Sequence, residues 1–286
     1  VKLSFAVLDA FVDAGGRSID TADVYSAWVP GNSGGESETI IGQWLAARGR
    51  RDAVVIATKV CAFESRPGLS AANIRSAVDE SLTRLQTDYI DLYQLHHPDG
   101  ITPIDETLSA LDDLVRDGKV RYLGHSNLAG WQIAEAEYAA RMLGATKFVS
   151  AQDEYSLLAR GVEREVLPAV RAYGLGFLPY FPLYNGLFTG KFSRDGGPAD
   201  SRIMHTRPQV LDAVPWDAYD RYTAFCAERD ITMLEATFGW LLAQPNLTSV
   251  IAGATTPEQI RQNAAASVSW SPTADDLRMI RAFFAA

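Results

Sequence analysis

Short apolar runs alternate with amphipathic segments along almost the whole chain, and this alternation limits the fold more than any other feature. Seven runs are each long enough for one strand, at residues 17–20, 53–58, 90–95, 120–124, 148–152, 176–180 and 248–252. Segments with a 3.6-residue apolar period precede and separate them, at residues 3–14, 37–48, 70–85, 104–117, 129–143, 162–173 and 231–243. This order predicts parallel strands joined by crossover helices.

Parallel strands with crossover helices close into a barrel when there are eight of them. We therefore expect an α/β fold, a (β/α)8 TIM barrel whose first strand is missing from the given sequence, because a helix precedes the first predicted strand. The 286 residues and the 47% hydrophobic content suffice for the core of one such domain, over residues 1–286. Residues 192–215 are irregular and predict a mobile loop over the barrel mouth. A doubly wound sheet is the alternative, but the sequence has no GxGxxG fingerprint after its first strand.

The composition argues against several classes of partner. A net charge of −9 and a pI near 5.0 oppose binding to the phosphate backbone of a nucleic acid. Cys61 and Cys226 are the only cysteines, and they form no CxxC pattern or His/Cys cluster, so neither a disulfide framework nor a structural zinc is indicated. No apolar run approaches the roughly 20 residues that span a bilayer. We expect a cytoplasmic protein with no nucleic-acid, membrane or metal partner, and the oligomeric state is left open.

Three successive predicted strands end on residues that carry proton chemistry. The first ends at Asp20 and is followed by Tyr25, the second leads to Lys59, and the third leads to His96. The active sites of barrel enzymes lie at the C-terminal ends of the strands, so these side chains are expected to converge. A lysine ammonium close to a phenol favours the charged form of that phenol and makes it a better proton donor. The pattern predicts a site that protonates an oxygen as negative charge develops on it.

Each of these residues also has a simpler structural interpretation. Asp20 is then a cap for the following turn, Lys59 a solvated cation, and Tyr25 an aromatic residue of a lid. The neighbouring histidines His96 and His97 do not indicate a metal site, because no acidic pair accompanies them. The coincidence of three consecutive strand ends favours the functional interpretation.

The motifs around these residues resemble those of the aldo-keto reductase superfamily, above all its bacterial members, and are similar also to the potassium-channel β subunits. The resemblance covers nearly the whole chain. It rests on Asp20-Thr21-Ala22-x-x-Tyr25, on Thr58-Lys59, on residues 91–96, 124–127 and 186–191, and on the segment GATTPEQIRQN at 253–263. It implies a (β/α)8 barrel with a catalytic tetrad of Asp20, Tyr25, Lys59 and His96.

The resemblance also implies a nicotinamide cofactor, NADPH with NADH as the alternative. Ser126, Asn127 and Gln152 would bind the nicotinamide carboxamide, and Tyr180 would stack on its ring. Residues following the stacking aromatic would complete that part of the site: Phe181, Pro182 and Leu183. Cationic and polar residues would hold the pyrophosphate and the adenosine: Lys191, Arg202, Gly253, Thr255, Gln259, Gln262 and Asn263. The helix that begins near Thr256 supports this, because its N-terminal N–H groups suit phosphate.

Several residues depart from the family pattern. Phe181 stands where many members have Ser, and Gln262 where they often have Glu. Gly253 and Gln259 replace the Lys and Arg that serve the 2′-phosphate in many reductases. A preference for NADPH therefore depends mainly on Arg202 and Lys191.

These observations predict an NAD(P)H-dependent oxidoreductase that reduces an aldehyde or ketone to an alcohol, with Tyr25 as the proton donor. Trp28 and Phe63 are candidates for the wall of the substrate site, which favours an apolar or aromatic carbonyl compound, although Trp28 is equally suited to packing against its own loop. The main alternative is a cofactor-binding regulatory protein, like a channel β subunit, with little turnover. A third class is a barrel isomerase or aldolase that uses Lys59 as a Schiff base and needs no nicotinamide.

Overall fold

The computed structural model describes residues 1–284, and in that part of the chain strands and helices alternate as the apolar pattern predicts. The strands are β1 (Ser18–Asp20), β2 (Val55–Val60), β3 (Ile90–Leu95), β4 (Val120–Ser126), β5 (Phe148–Glu154) and β6 (Gly176–Tyr180). They form one parallel sheet in the order β1-β2-β3-β4-β5-β6. The α/β class and the parallel sheet are therefore confirmed. Eight-strand closure stays a prediction.

Eleven α-helices are described. Six of them precede or follow the strands: α1 (Lys2–Asp13), α2 (Glu36–Arg48), α3 (Ala71–Leu85), α4 (Ile104–Arg116), α5 (Gly130–Leu143) and α6 (Val166–Tyr173). The C-terminal part adds α7 (Arg202–Thr206), α8 (Trp216–Glu228), α9 (Met233–Leu242), α10 (Pro257–Ser269) and α11 (Ala274–Phe283). Helix α1 packs against both α2 and α10, so the helical layer continues from the β1 edge of the sheet to the C-terminal helices.

The predicted seventh strand at residues 248–252 is wrong as a strand, and Pro179 explains why. The N–H of Phe177 donates to the Asn246 carbonyl at 2.9 Å, and the N–H of Thr248 donates to the Phe177 carbonyl at 2.9 Å. The next rung needs an N–H at Pro179, which proline lacks. Contact resumes only where Ile251 donates to the Pro179 carbonyl at 3.1 Å, so the segment runs beside β6 with one isolated bridge, Phe177–Leu247.

Glycines end α1 and allow the chain to enter β1. Gly15 has φ +89°, a conformation that favours glycine. A Cβ on Gly16 would lie 2.3 Å from the ring of Phe11, so only glycine fits beneath that ring. This turn brings the chain to Ser18, which pairs with Val55 and starts the parallel ladder.

Residues 192–215 contain α7 and a 3-10 helix, Pro208–Ala213. Phe192, Ile203 and Val214 are buried, and Arg194 pairs with Asp217 and Asp220 of α8 at 2.5 and 2.8 Å. The predicted loop therefore has apolar and ionic anchors to the rest of the fold. Its mobility stays a prediction.

No helix among residues 1–284 combines the length and the apolar character needed to cross a membrane.

Candidate active site

The C-terminal ends of β1, β2 and β3 bring together the three residues predicted from the strand ends. Asp20 is the last residue of β1, Lys59 is the penultimate residue of β2, and His96 directly follows β3. Adjacent strands run in register, with Asp20 opposite Ala57 and Lys59 opposite Gln94. Because the strands are parallel, these side chains share one edge of the sheet.

The Lys59 ammonium is the centre of the cluster. It donates to the Asp20 carboxylate at 2.5 Å, to the Thr21 carbonyl at 2.9 Å and to the Tyr25 hydroxyl at 3.1 Å. The side chain is only 1% exposed. Burial, the largest single effect, lowers the pKa of Lys59, but the charges and hydrogen bonds of Asp20 and Tyr25 together outweigh burial, and the pKa is raised on balance. The ammonium is therefore charged at neutral pH, directly beside the phenol.

Two glutamines hold the other oxygen of Asp20. The side-chain amide of Gln94 donates to Asp20 Oδ1 at 3.1 Å, and that of Gln152 donates at 2.9 Å. The two amides also contact each other at 3.3 Å. Sequence reasoning gave Gln152 only a cofactor role and missed Gln94. The available signal was alternation, because Gln94 lies two residues before His96 and shares its face of the strand.

His96 lies edge-on to Tyr25, with ring centroids 5.8 Å apart and ring planes at 71°. Its Nδ1 is buried and has no hydrogen-bond partner within residues 1–284. Burial, with smaller contributions from the positive charges of Lys59 and His97, lowers the pKa of His96 to about 4. The imidazole is therefore neutral at physiological pH.

Asn127 links the predicted nicotinamide-binding residues to one another. It has φ +59°, in the left-handed region that asparagine tolerates better than most residues. Its side-chain nitrogen donates to the His96 carbonyl and to Ser126 Oγ, both at 2.9 Å. Its side-chain oxygen accepts from the Tyr180 hydroxyl at 2.9 Å. A connected polar network thus joins the ends of β3, β4 and β6.

Arginines gather around Phe181, which follows β6. The guanidinium carbon of Arg202 lies 5.0 Å from the centre of the Phe181 ring, and that of Arg207 lies 5.7 Å away. Burial, followed by the like charge of Arg207, lowers the pKa of Arg202. Within the described chain, neither arginine forms a salt bridge. The sequence did not indicate Arg207 as a site residue, because no motif distinguishes it from an ordinary surface arginine.

The N-terminus of α10 carries the predicted adenosine-binding residues. The backbone N–H and the hydroxyl of Thr255 donate to Gln259 Oε1 at 2.8 and 3.0 Å, and Thr256 caps the helix. Gly253 is exposed, with open space where a Cβ would lie. Three further predicted residues form no side-chain hydrogen bond within residues 1–284: Lys191, Gln262 and Asn263. Pro182 is buried directly after Phe181, and Leu183 packs, partly buried, against the core.

The two candidates for the substrate wall differ in their surroundings. Trp28 is 71% exposed and lies edge-on to Tyr25, with ring centroids 5.8 Å apart. Phe63 packs under Gly34 and between the guanidinium groups of Arg66 and Arg84, at 5.2 and 5.9 Å. Trp28 is thus next to Tyr25, whereas Phe63 supports the loop that carries Tyr25.

No group of three or more His, Cys, Asp or Glu side chains in residues 1–284 is arranged to hold a metal ion.

Comparison with known proteins adds an independent line of information. A sequence model of the family described as "Aldo/keto reductase family" matches residues 2–284. "Uncharacterized oxidoreductase YrpG" of Bacillus subtilis (strain 168) is 39% identical over 292 residues, which cover 99% of this chain and 87% of that protein. "NADH-specific methylglyoxal reductase" of Escherichia coli (strain K12) is 35% identical, covering 87% of this chain and 77% of that protein. "Probable voltage-gated potassium channel subunit beta" of Oryza sativa subsp. japonica is 34% identical, covering 92% of this chain and 81% of that protein.

Proposed function

The chain belongs to the aldo/keto reductase family, and from that premise we propose that it reduces an aldehyde or ketone to the alcohol, with Tyr25 as the proton donor and NADPH as the preferred cofactor. Family membership and the oxidoreductase relatives support NAD(P)H-dependent carbonyl reduction in general. The observation that best supports Tyr25 as the proton donor is the 3.1 Å contact between its hydroxyl and the Lys59 ammonium.

The residues around the cluster fit a nicotinamide dinucleotide. Amide and hydroxyl groups of Asn127, Ser126 and Gln152 lie beside the tetrad and match the hydrogen-bonding groups of a carboxamide. Arg202 and Arg207 both lie over Phe181, where their like charges repel each other, and neither forms a salt bridge with a carboxylate of the described chain. An anionic ligand would relieve this repulsion. When bound, the reduced nicotinamide supplies the hydride.

Tyr25 is oriented to give a proton away. Lys59 donates to the phenol oxygen, so the hydroxyl proton of Tyr25 points elsewhere and is free for a carbonyl oxygen. As that oxygen gains negative charge, Tyr25 transfers its proton, and the ammonium stabilises the phenolate left behind. Asp20 keeps Lys59 charged, and Gln94 and Gln152 hold Asp20 in place.

His96 completes the site as a neutral group. With a pKa of about 4 it does not carry a positive charge at working pH, so it donates or accepts one hydrogen bond without competing with Tyr25 as an acid. Its ring lies edge-on to the Tyr25 ring, where it can orient the carbonyl oxygen toward the phenol.

A steady-state assay tests the proposed activity. With 4-nitrobenzaldehyde and NADPH, we expect consumption of the reduced cofactor that depends on the protein and the aldehyde. Trp28, exposed beside Tyr25, provides an aromatic surface for such a substrate. The rice relative favours a second candidate, a cofactor-binding regulatory protein, for which cofactor binds but aldehyde causes no turnover.

A Schiff-base mechanism at Lys59 is disfavoured by its surroundings. A nucleophilic lysine must lose its proton, whereas the pKa of Lys59 is raised on balance, because Asp20 and Tyr25 together outweigh the effect of burial. Borohydride in the presence of a carbonyl compound should therefore leave Lys59 unmodified, as measured by peptide mass.

Arg202 is expected to set the cofactor preference. Arg202→Ala should raise the Kd for NADPH by about tenfold or more while changing the Kd for NADH less than about threefold, because a lost charge-assisted bond to phosphate costs roughly 1.5–3 kcal/mol. Quenching of tryptophan fluorescence by each cofactor measures both constants without turnover.

Arg194→Ala is the matched control for this prediction. Arg194 lies in the same segment as Arg202 but is already paired with Asp217 and Asp220. Its removal should leave both Kd values unchanged. Equal weakening of NADPH and NADH binding by Arg202→Ala would assign Arg202 to a group shared by the two cofactors and contradict its role at the 2′-phosphate.

A further inference from the structure

Asp23 is a buried carboxyl group that the reaction described above does not use. It lies two residues before Tyr25 and is fully buried. Neither carboxyl oxygen has a hydrogen-bond partner within residues 1–284. Its backbone N–H donates to the Lys59 carbonyl at 3.3 Å. This hydrogen bond joins the loop that carries Tyr25 directly to the end of β2.

The groups around Asp23 come from four different elements. Glu38 of α2 is fully buried, accepts from the Thr58 hydroxyl at 2.5 Å and pairs with Arg84 of α3 at 2.7 Å. The remaining titratable and charged neighbours are Tyr93 of β3, Cys61 after β2, and Arg66 in the following loop. The fully buried Tyr93 hydroxyl also has no hydrogen-bond partner in the described part of the chain.

The charges in this cluster balance only when Asp23 is neutral. Arg84 pairs with Glu38 at 2.7 Å, and Arg66 pairs with Glu80 at 2.8 Å, so each cation already has one carboxylate. An ionised Asp23 would therefore be one buried negative charge in excess. Tyr93 supplies no compensating positive charge, because a tyrosine is either neutral or negative. Burial, followed by the negative charge of Asp23, raises the pKa of Tyr93 well above its usual value and keeps it neutral.

Burial, followed by the negative charge of Glu38, raises the pKa of Asp23 to about 7. Asp23 is thus neutral in weak acid and ionises near neutral pH. Neither oxygen of Asp23 has a hydrogen-bond partner within residues 1–284, and both nearby cations are paired with glutamates. An ionised carboxylate in such a place is costly to keep buried, and hydration of the loop would relieve that cost.

We propose that Asp23 is a positioning residue for Tyr25. When Asp23 is a neutral carboxylic acid, the loop of residues 21–35 packs against the ends of β2 and β3. When Asp23 ionises, that loop is displaced from the strand ends. This loop carries Tyr25 and Trp28, so ionisation moves the proton donor away from Lys59. The consequence for turnover rests on the proposed reductase function, whereas the titration and its effect on stability do not.

The sign of the stability change follows from linkage. The folded protein holds the Asp23 proton more tightly than the unfolded chain, so this contribution to stability is complete below the unfolded pKa and is lost as pH rises through about 7. Between pH 6 and pH 8.5 the wild-type Tm should fall by roughly 3 °C because of Asp23. The Tm of Asp23→Asn should decrease by roughly 3 °C less than that of the wild type over the same pH range, because the amide does not ionise and mimics the neutral acid.

Infrared difference spectroscopy of the protein without substrate tests the titration directly. We expect the carbonyl stretch of a protonated carboxylic acid at pH 6, its loss by pH 8.5, and its absence from Asp23→Asn at both pH values. Asp153→Asn is the matched control, because Asp153 is a second buried acid whose pKa burial raises to about 7. That variant should lose a different band and keep the Asp23 band.

Glu38→Gln provides an independent variant should Asp23→Asn fail to fold. With the neighbouring negative charge removed, the midpoint of the Asp23 band should move to lower pH. A band that titrates identically in wild type and Glu38→Gln would contradict the proposed cluster, as would a wild-type spectrum without any protonated acid assignable to Asp23.

The pH profile of turnover measures the positioning role. With a pKa of about 7, the protonated fraction of Asp23 falls roughly thirtyfold between pH 6 and pH 8.5, and wild-type kcat should fall by about the same factor. Any fall that Asp23→Asn also shows is subtracted first. Superimposable kcat profiles for wild type and Asp23→Asn would overturn the positioning role. If neither protein turns over aldehyde at any pH, the reductase proposal fails, and the infrared and Tm measurements still decide whether Asp23 titrates as proposed.

Discussion

Replacing Tyr25 by phenylalanine is expected to lower kcat for carbonyl reduction by about 10²–10⁴-fold, the range over which a positioned proton donor contributes. The ring remains, so its edge contacts with His96 and Trp28 persist. What disappears is the hydroxyl that contacts Lys59 at 3.1 Å and that we propose to be the source of the transferred proton. The Kd for NADPH should stay within about twofold of wild type, since the cofactor-binding candidates lie on other strands.

Tyr122→Phe is a suitable control for this substitution. Tyr122 lies in β4, is 58% exposed and forms no side-chain hydrogen bond within residues 1–284. Its variant should keep wild-type turnover. Turnover by Tyr25→Phe within tenfold of wild type would exclude Tyr25 as the proton donor, and unchanged cofactor binding would show that the variant is folded.

The order of strands and helices was predictable because each element has its own apolar period. Five of the six residues are buried in β2 and in β3, and both strands are short and mainly apolar although they also carry polar residues such as Lys59 and Gln94. The helices between them show a 3.6-residue apolar period. Hydrogen-bonded pairing between strands is harder to predict from a sequence. The run at 248–252 has a strand-like composition, but the ladder beside it is interrupted by Pro179 of the neighbouring strand.

The candidate tetrad was predictable for a related reason. Asp20, Lys59 and His96 each come at the end of an apolar run, and parallel strands carry such residues to one edge of the sheet. The resemblance to a known family then suggested roles that the pattern alone left open, including the cofactor. The contacts now found around Lys59 support these roles on physical grounds.

Residues that act through their neighbours were not predictable in the same way. Alternation places Gln94 on the same strand face as His96, but only the structure shows that its amide reaches Asp20. Asp23 is of interest because neither of its carboxyl oxygens has a hydrogen-bond partner in the described chain. Both properties depend on distances between elements that are far apart in sequence, such as the 74 residues between Gln94 and Asp20. Arg207 is likewise significant only because it lies over the same ring as Arg202.

Replacing Lys59 by methionine is expected to be the most damaging single substitution, because it affects both activity and stability. Methionine has a side chain of similar length but lacks the ammonium that, in the proposed mechanism, stabilises the Tyr25 phenolate, so kcat should fall by about 10²–10³-fold or more. It also leaves the mostly buried Asp20 carboxylate without its counter-ion. Breaking a buried pair in this way costs about 3–5 kcal/mol, which corresponds to a Tm lower by roughly 10 °C.

The double variant Asp20→Asn/Lys59→Met separates the two effects of losing Lys59. With the carboxylate neutralised, no uncompensated charge remains, so the double variant should be more stable than Lys59→Met by about 1–3 kcal/mol although it is equally inactive. Lys119→Met is the control, since Lys119 pairs with Asp79 at 2.6 Å on the surface, where such a pair contributes about 0–1 kcal/mol. Equal stability of the single and double variants in urea unfolding would mean that Asp20 is not ionised beside Lys59. That result would contradict the proposed role of Asp20, which is to keep Lys59 charged beside Tyr25.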